Sequence, residues 1–169
     1  MKALYLDCAA GISGNMFLGA CLQLGVPEKY LRGELDKLNL PRDFEIEISN
    51  VSKNGIGAAY VDVKLARDFE SELDRPNIRH LHRHEHIKNH SHRTFNDIKK
   101  IIDASELSEP IKTRALAIFS VIAKAEGKVH QRPADEVTFH EVGAIDSIVD
   151  IVGCAICLDY LDVKKIFVS

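Results

Sequence analysis

The chain has 169 residues, 46% of them hydrophobic and 28% charged, with a formal net charge of −3. This balance suits one soluble globular domain with a sizeable core, and the mildly acidic total argues against general nucleic-acid binding. No apolar run reaches membrane-spanning length. Asp7 interrupts the short apolar start, so neither a secretory signal nor a membrane partner is expected, and the cytoplasm is the expected compartment.

Residues 3–6 read as a short buried strand, followed at 7–16 by D-C-A-A-G-I-S-G-N-M and then by helical spacing over 17–24. A strand ending in Asp7, a small-residue turn and a helix start form a common mount for ligands. The glycines allow close backbone approach, and helix-start N–H groups favour anions such as phosphate. The spacing of Gly11, Gly14 and Gly19, with no lysine, is neither a Walker A loop nor a G-x-G-x-x-G fingerprint. A tight turn with Ser13 as N-cap is the plainer reading.

Gly25 suits a helix C-cap, and Pro27 opens a second helix over 28–38 that Asn39 and Pro41 end. Phe44, Ile46 and Ile48 alternate with polar residues, Asn54-Gly55 marks a turn, and Ala59, Val61, Val63 and Leu65 continue the period, predicting a hairpin. Across 68–93 the apolar period disappears and a polar, mobile loop is expected. Thr94 and Asp97 form a capping-box pattern for a helix over 95–103. Ser108 then caps a longer helix ending near Gly127. A short extended piece at 137–139, a helix over 146–161 and a strand at 166–168 complete the chain. The expected fold is a single α/β domain over 1–169. One mixed sheet would join the first strand, the hairpin and the last strand, with helices packed on it.

Two clusters invite chemistry. His80, His82, His84, His86, His90 and His92 lie within thirteen positions of one polar run. Neutral imidazole favours nickel, zinc, copper and cobalt, so transition-metal binding is the sharper reading; a solvated basic loop is the other. His140-Glu141 precedes Asp146 and Asp150, which at four residues apart share one helix face. Asp146 alone reads as an N-cap. Asp150 sits among Ile148, Val149, Ile151 and Val152, and a carboxylate buried there needs a cation, a metal or a donor. The cluster could hold a divalent ion, shuttle a proton, or simply pin the helix to the sheet. Cys154-x-x-Cys157 lies inside an apolar helix and reads, with Cys21, as packed core thiols; Cys8 touches the opening turn.

The opening motif, the histidine run and F-H-E-V-G-A-I-D-S-I-V-D-I-V-G, in that order, resemble the LarC family of nickel insertion proteins. The resemblance implies insertion of nickel into pyridinium-3,5-bisthiocarboxylic acid mononucleotide, completing the nickel-pincer cofactor of lactate racemase and related enzymes. It further implies CTP dependence through cytidylylation, metal insertion and release of CMP, a lyase- or chelatase-class reaction with Mg²⁺ or Mn²⁺ in the complete architecture. Family members are more than twice this length, so the chain corresponds to an amino-terminal, nickel-handling portion, with a carboxyl-terminal companion domain or chain and a homo-oligomeric state expected. On this resemblance the six histidines from His80 to His92 collect nickel and Gly11, Ser13, Gly14 and Asn15 lie near a phosphate. Residue chemistry then places Asp7, His140, Glu141, Asp146 and Asp150 around the pocket. Asn15 stands where the family commonly has Asp. The rival readings are a nickel store or metallochaperone without catalysis, and a Mg²⁺-dependent phosphate-ester hydrolase.

Overall fold

A computed structural model describes residues 1–40, 44–65, 93–139 and 143–169. The histidine run and the His140-Glu141 pair therefore lie outside the described residues. The opening strand, β1 (Lys2–Leu6), leads through the Gly11 turn into α1 (Gly14–Gln23). Ser13 caps that helix, its Oγ accepting from the Met16 N–H at 3.3 Å, as its position in the sequence predicts. Helix α2 (Glu28–Asp36) follows, with Pro27 at the N-cap and not inside the first turn.

Strands β2 (Phe44–Lys53) and β3 (Ile56–Leu65) form the expected hairpin. Asn54 and Gly55 both take positive φ (54° and 81°), the geometry of a two-residue turn that matches strand twist. The Arg32 guanidinium of α2 donates to the Ile46 carbonyl at 2.7 Å and ties the hairpin down.

Beyond residue 92, β4 (Arg93–Thr94) pairs antiparallel with β5 (Thr138–Phe139). Between them run α3 (Phe95–Ala104) and the long α4 (Glu109–His130). The capping box forms: the Asp97 N–H donates to Thr94 Oγ1 at 3.2 Å, and the Thr94 N–H donates back to Asp97 Oδ2 at 3.0 Å. Helix α4 runs past Gly127 to His130 and is closed by Gln131 in the left-handed region (φ 53°), a turn later than the sequence pattern suggests. Gly127 is instead a close-packing position, where a Cβ would meet the Arg132 carbonyl at 2.8 Å. Helix α5 (Ile145–Tyr160) and β6 (Val163–Val168) complete the described fold.

The sheet differs from expectation. The hairpin does not join the terminal strands: among the described residues β1 pairs only with β6, in parallel, β2 only with β3, and β4 only with β5. The unifying element is α5. Ile148, Val149, Val152, Ala155, Ile156 and Cys157 are fully buried, and α1, α2 and α4 all pack on this helix. An all-round apolar helix can afford no solvent face, which is why it sits at the centre. Phe119 of α4 meets Phe139 of β5 at 6.3 Å between ring centroids. No helix among the described residues is long and apolar enough to cross a membrane.

Candidate functional site

The first turns of α5 break the apolar pattern. Asp146 and Asp150 lie on one face, one turn apart, as the spacing predicts. Asp146 is not the N-cap, because Ala144 occupies that position; the Asp146 carboxylate instead accepts from the Ser147 N–H at 2.7 Å. The backbone just before this helix is held by Arg93, whose guanidinium donates to the Gly143 carbonyl at 2.8 Å.

Asp150 points at the start of α1. A Cβ built on Gly14 would lie only 2.6 Å from both Cβ and Cγ of Asp150, so only glycine fits. Gly14 therefore lets a carboxylate close against the first turn of a helix, where N–H groups lack intrahelical partners and the dipole is positive. One carboxylate oxygen, Asp150 Oδ1, is fully buried and has no hydrogen-bond partner among the described residues. Burial, followed by the negative charges of Asp146 and Asp62, pushes the Asp150 carboxyl up to about 6. An acid so perturbed, in a junction of three elements, is a functional-site signature.

Asp62 is the residue that sequence reasoning misses. It lies on β3 between buried Val61 and Val63. Strand alternation assigns it to solvent and gives no sign that the fold brings it near α5.

The remaining expected residues divide around α1. Ser13 and Asn15 line a groove of about 380 Å³ between α1 and the hairpin, together with Met16, Ala58 and Tyr60. Its floor is tight, since a Cβ on Gly19 would collide with the Ala59 carbonyl oxygen. Asp7 and Gly11 line a different groove, beside β1. Gly11 takes φ 85° and its N–H donates to the Cys8 carbonyl at 2.8 Å, while Asp7 Oδ1 accepts from the Ala9 N–H at 3.4 Å. The opening motif is thus one turn serving two grooves, with Gly14 and Asp150 at the helix start. His140, Glu141 and the six histidines from His80 to His92 lie outside the described residues, so the geometry here concerns Asp7, Gly11, Ser13, Gly14, Asn15, Asp146 and Asp150 alone.

The cysteines behave as core residues. Cys21 and Cys157 are free and buried between α1 and α5, their thiols near enough to shift one another's ionisation. The neighbouring Cys21 thiol and burial raise Cys157, while burial and the charge of Asp150 raise Cys154, so neither is an activated nucleophile. Among the described residues no three His, Cys, Asp or Glu side chains converge in a metal-holding geometry. Asp62, Asp146 and Asp150 do supply the oxygen donors that hard divalent ions such as Mg²⁺ or Mn²⁺ prefer, and the unpartnered Asp150 oxygen is compatible with such an ion.

These features define an α/β protein whose first strand–helix turn is packed against a partly buried acidic helix start. The comparison with known proteins gives this class its place: the chain belongs to the nickel insertion protein family, which matches it over residues 4–169. It is 49% identical over its whole length to the pyridinium-3,5-bisthiocarboxylic acid mononucleotide nickel insertion protein of Clostridium kluyveri, covering 40% of that protein. It is likewise 49% identical to the protein so named in Clostridium acetobutylicum, covering 43%, and 41% identical to that of Akkermansia muciniphila, covering 38%. The chain thus spans about two fifths of the length of these relatives. No solved structure matches it.

Proposed function

We propose that this chain handles nickel for insertion into pyridinium-3,5-bisthiocarboxylic acid mononucleotide, the substrate in its relatives' names, in a CTP-dependent reaction that completes the nickel-pincer cofactor of lactate racemase. The observation that carries this reading is the unpartnered Asp150 oxygen against Gly14. The α1 start, with Ser13, Gly14 and Asn15, suits the mononucleotide's phosphate. A phosphate there and an ionised Asp150 repel one another unless a proton or a divalent cation lies between them. Asp150 is therefore assigned to hold that proton or cation, the Mg²⁺ or Mn²⁺ of the CTP reaction included, with Asp146 and Asp62 adding their negative charge. His140 and Glu141 would complete the set, Asp7 would face the substrate from the neighbouring groove, and the histidines at 80–92 would gather nickel and pass it on.

The test combines nickel, CTP and the thiolated precursor with this chain, with and without a separately supplied carboxyl-terminal half, and reads the product by mass spectrometry. Nickel-loaded mononucleotide only with both halves present is the expected result. No metallated product under either condition, despite tight nickel binding, would transfer the chain to the metallochaperone reading. Nickel affinity unchanged when all six histidines from His80 to His92 become alanine would remove the histidine run from either account.

A further inference from the structure

The β1–β6 pair is an unfinished sheet. Parallel strands occur almost only in sheets covered on both faces, and two strands alone are marginal in water. Here Leu4 and Leu6 pack toward the core, but the opposite face is bare: Tyr5 and Phe167 are cross-strand partners, 65% and 54% exposed. Ile166 and Val168 at the end of β6 are also largely exposed. The other edge of β1 has no strand partner among the described residues. Beside that strand lies a groove of about 430 Å³, lined by the consecutive residues Leu4, Tyr5, Leu6 and Asp7 and by Met16 and Leu24 of the α1 region. Met16 and Leu24 are themselves exposed. Three consecutive strand residues and Asp7 just beyond them form one wall, facing apolar helix residues, and suit an added strand with side chains seated in the groove.

We propose that this edge and face are the docking surface for the polypeptide that the longer nickel insertion proteins carry outside the region matched here. That part adds a strand beside β1 and covers Tyr5 and Phe167. The size of the occupant supports the assignment, since the chain spans only 38–43% of those relatives. The parallel register also ties β6 to the opening turn, where the Ser169 N–H donates to the Leu6 carbonyl at 3.1 Å and Ser169 Oγ accepts from the Cys8 N–H at 2.9 Å. A strand added beside β1 would border the groove that holds Asp7 and Gly11. The inference rests on family membership and not on the nickel chemistry.

The experiment compares amide hydrogen exchange in this chain with that in a chimera in which it replaces the matched region of the Clostridium kluyveri protein. At least ten-fold slower exchange in β1 and β6 is expected in the chimera. Tyr5→Lys and Phe167→Lys together should restore the faster rates, with far-UV circular dichroism unchanged in the chain alone. Equal rates in chain and chimera would overturn the proposal. Protection already present in the chain alone would also overturn it. Its loss when residues 66–92 are replaced by a Gly-Ser linker would assign the surface to that segment, and its loss on dilution, with a dimer in sedimentation, would assign it to a second copy. Nickel insertion by the chimera, measured in parallel, separates this result from the fate of the nickel reading.

Discussion

Two neighbouring stretches of the contact between α1 and α5 are built on opposite principles, although the same two helices make both. At the start of both helices Gly14 faces Asp150; one turn further in, Gly153 faces Leu18. The Leu18 stretch is ordinary core, with Leu18, Val152 and Ile156 fully buried. The Gly14 end holds a carboxylate with a buried, unpartnered oxygen, where an apolar side chain of similar size would be more stable. Glycine in one case admits a charged group and in the other a methyl-rich one. Apolar packing deeper in the helix pair and an electrostatically strained carboxylate at its start single out Asp150 as the functional-site candidate of this contact.

The largest test of that contrast is Gly14→Ala. The new methyl would overlap Cβ and Cγ of Asp150, so α5 itself must move, because no flexible side-chain tip can simply swing aside. Overpacking of this kind costs about 3 kcal/mol, which for a chain of this size lowers Tm by roughly 6–12 °C. Calorimetry checks the stability, and phosphate-ester binding should weaken in the same variant. A change in Tm of less than a degree would mean that Gly14 and Asp150 do not meet.

Asp150→Asn should move stability the other way. The folded-state carboxyl is raised to about 6, against roughly 3.9 for an unfolded Asp. Between those values the folded protein holds the proton that the unfolded chain has released, so stability falls as pH rises from 4 to 6 and stays reduced above. Two units correspond to about 3 kcal/mol, which solvent screening reduces to about 2. In metal-free buffer Asn at 150 should therefore raise Tm at pH 7.5 and flatten the pH dependence across that window, while weakening divalent-ion binding. A slope between pH 4 and 6 that survives the substitution would place the titration elsewhere.

Ser13→Ala comes next. Removing the hydroxyl that accepts from the Met16 N–H should cost about 1 kcal/mol, the usual value of an N-cap. Thermal melts of wild type and variant at one pH check it. A cost near zero would show that groups around Asp150, and not the cap, fix the helix start.

Local chemistry was readable in the sequence wherever a few neighbouring residues decide the outcome. Ser13, the Asn54-Gly55 turn, the Thr94–Asp97 box and the shared face of Asp146 and Asp150 all formed as their spacing implies. What depends on distant pairing was hidden. Nothing in the alternation of β2 and β3 says that the hairpin stands apart from the terminal strands, because period-two patterning reports a face and not a partner. Gly14 announced a tight position, but only the packing of α1 on α5 shows that Asp150 makes it so. Asp62 carried no signal, since one acid between two valines is the ordinary signature of a solvent-facing strand position. Gly127 misled because glycine marks helix ends more often than close helix packing, and here Gln131 supplies the left-handed cap.

Gly153→Ala is the smallest expected change and the control for the rest. Its methyl would lie 3.0 Å from Leu18 Cδ2, with Cδ1 at 3.5 Å and Cγ at 3.8 Å. The close atom is the end of a side chain that can adjust its rotamer, and no backbone blocks the way. Replacing glycine by alanine inside a helix contributes about 0.8–1 kcal/mol through propensity, while tightening an already packed core costs a similar amount. The two offset, and the melting temperature should stay within about 2 °C of wild type. Agreement would leave the large penalty at Gly14 attributable to the carboxylate opposite it. If instead both glycines proved equally intolerant, close approach of the two helices along their whole contact would be the common cause, and the special status of the Asp150 end would disappear.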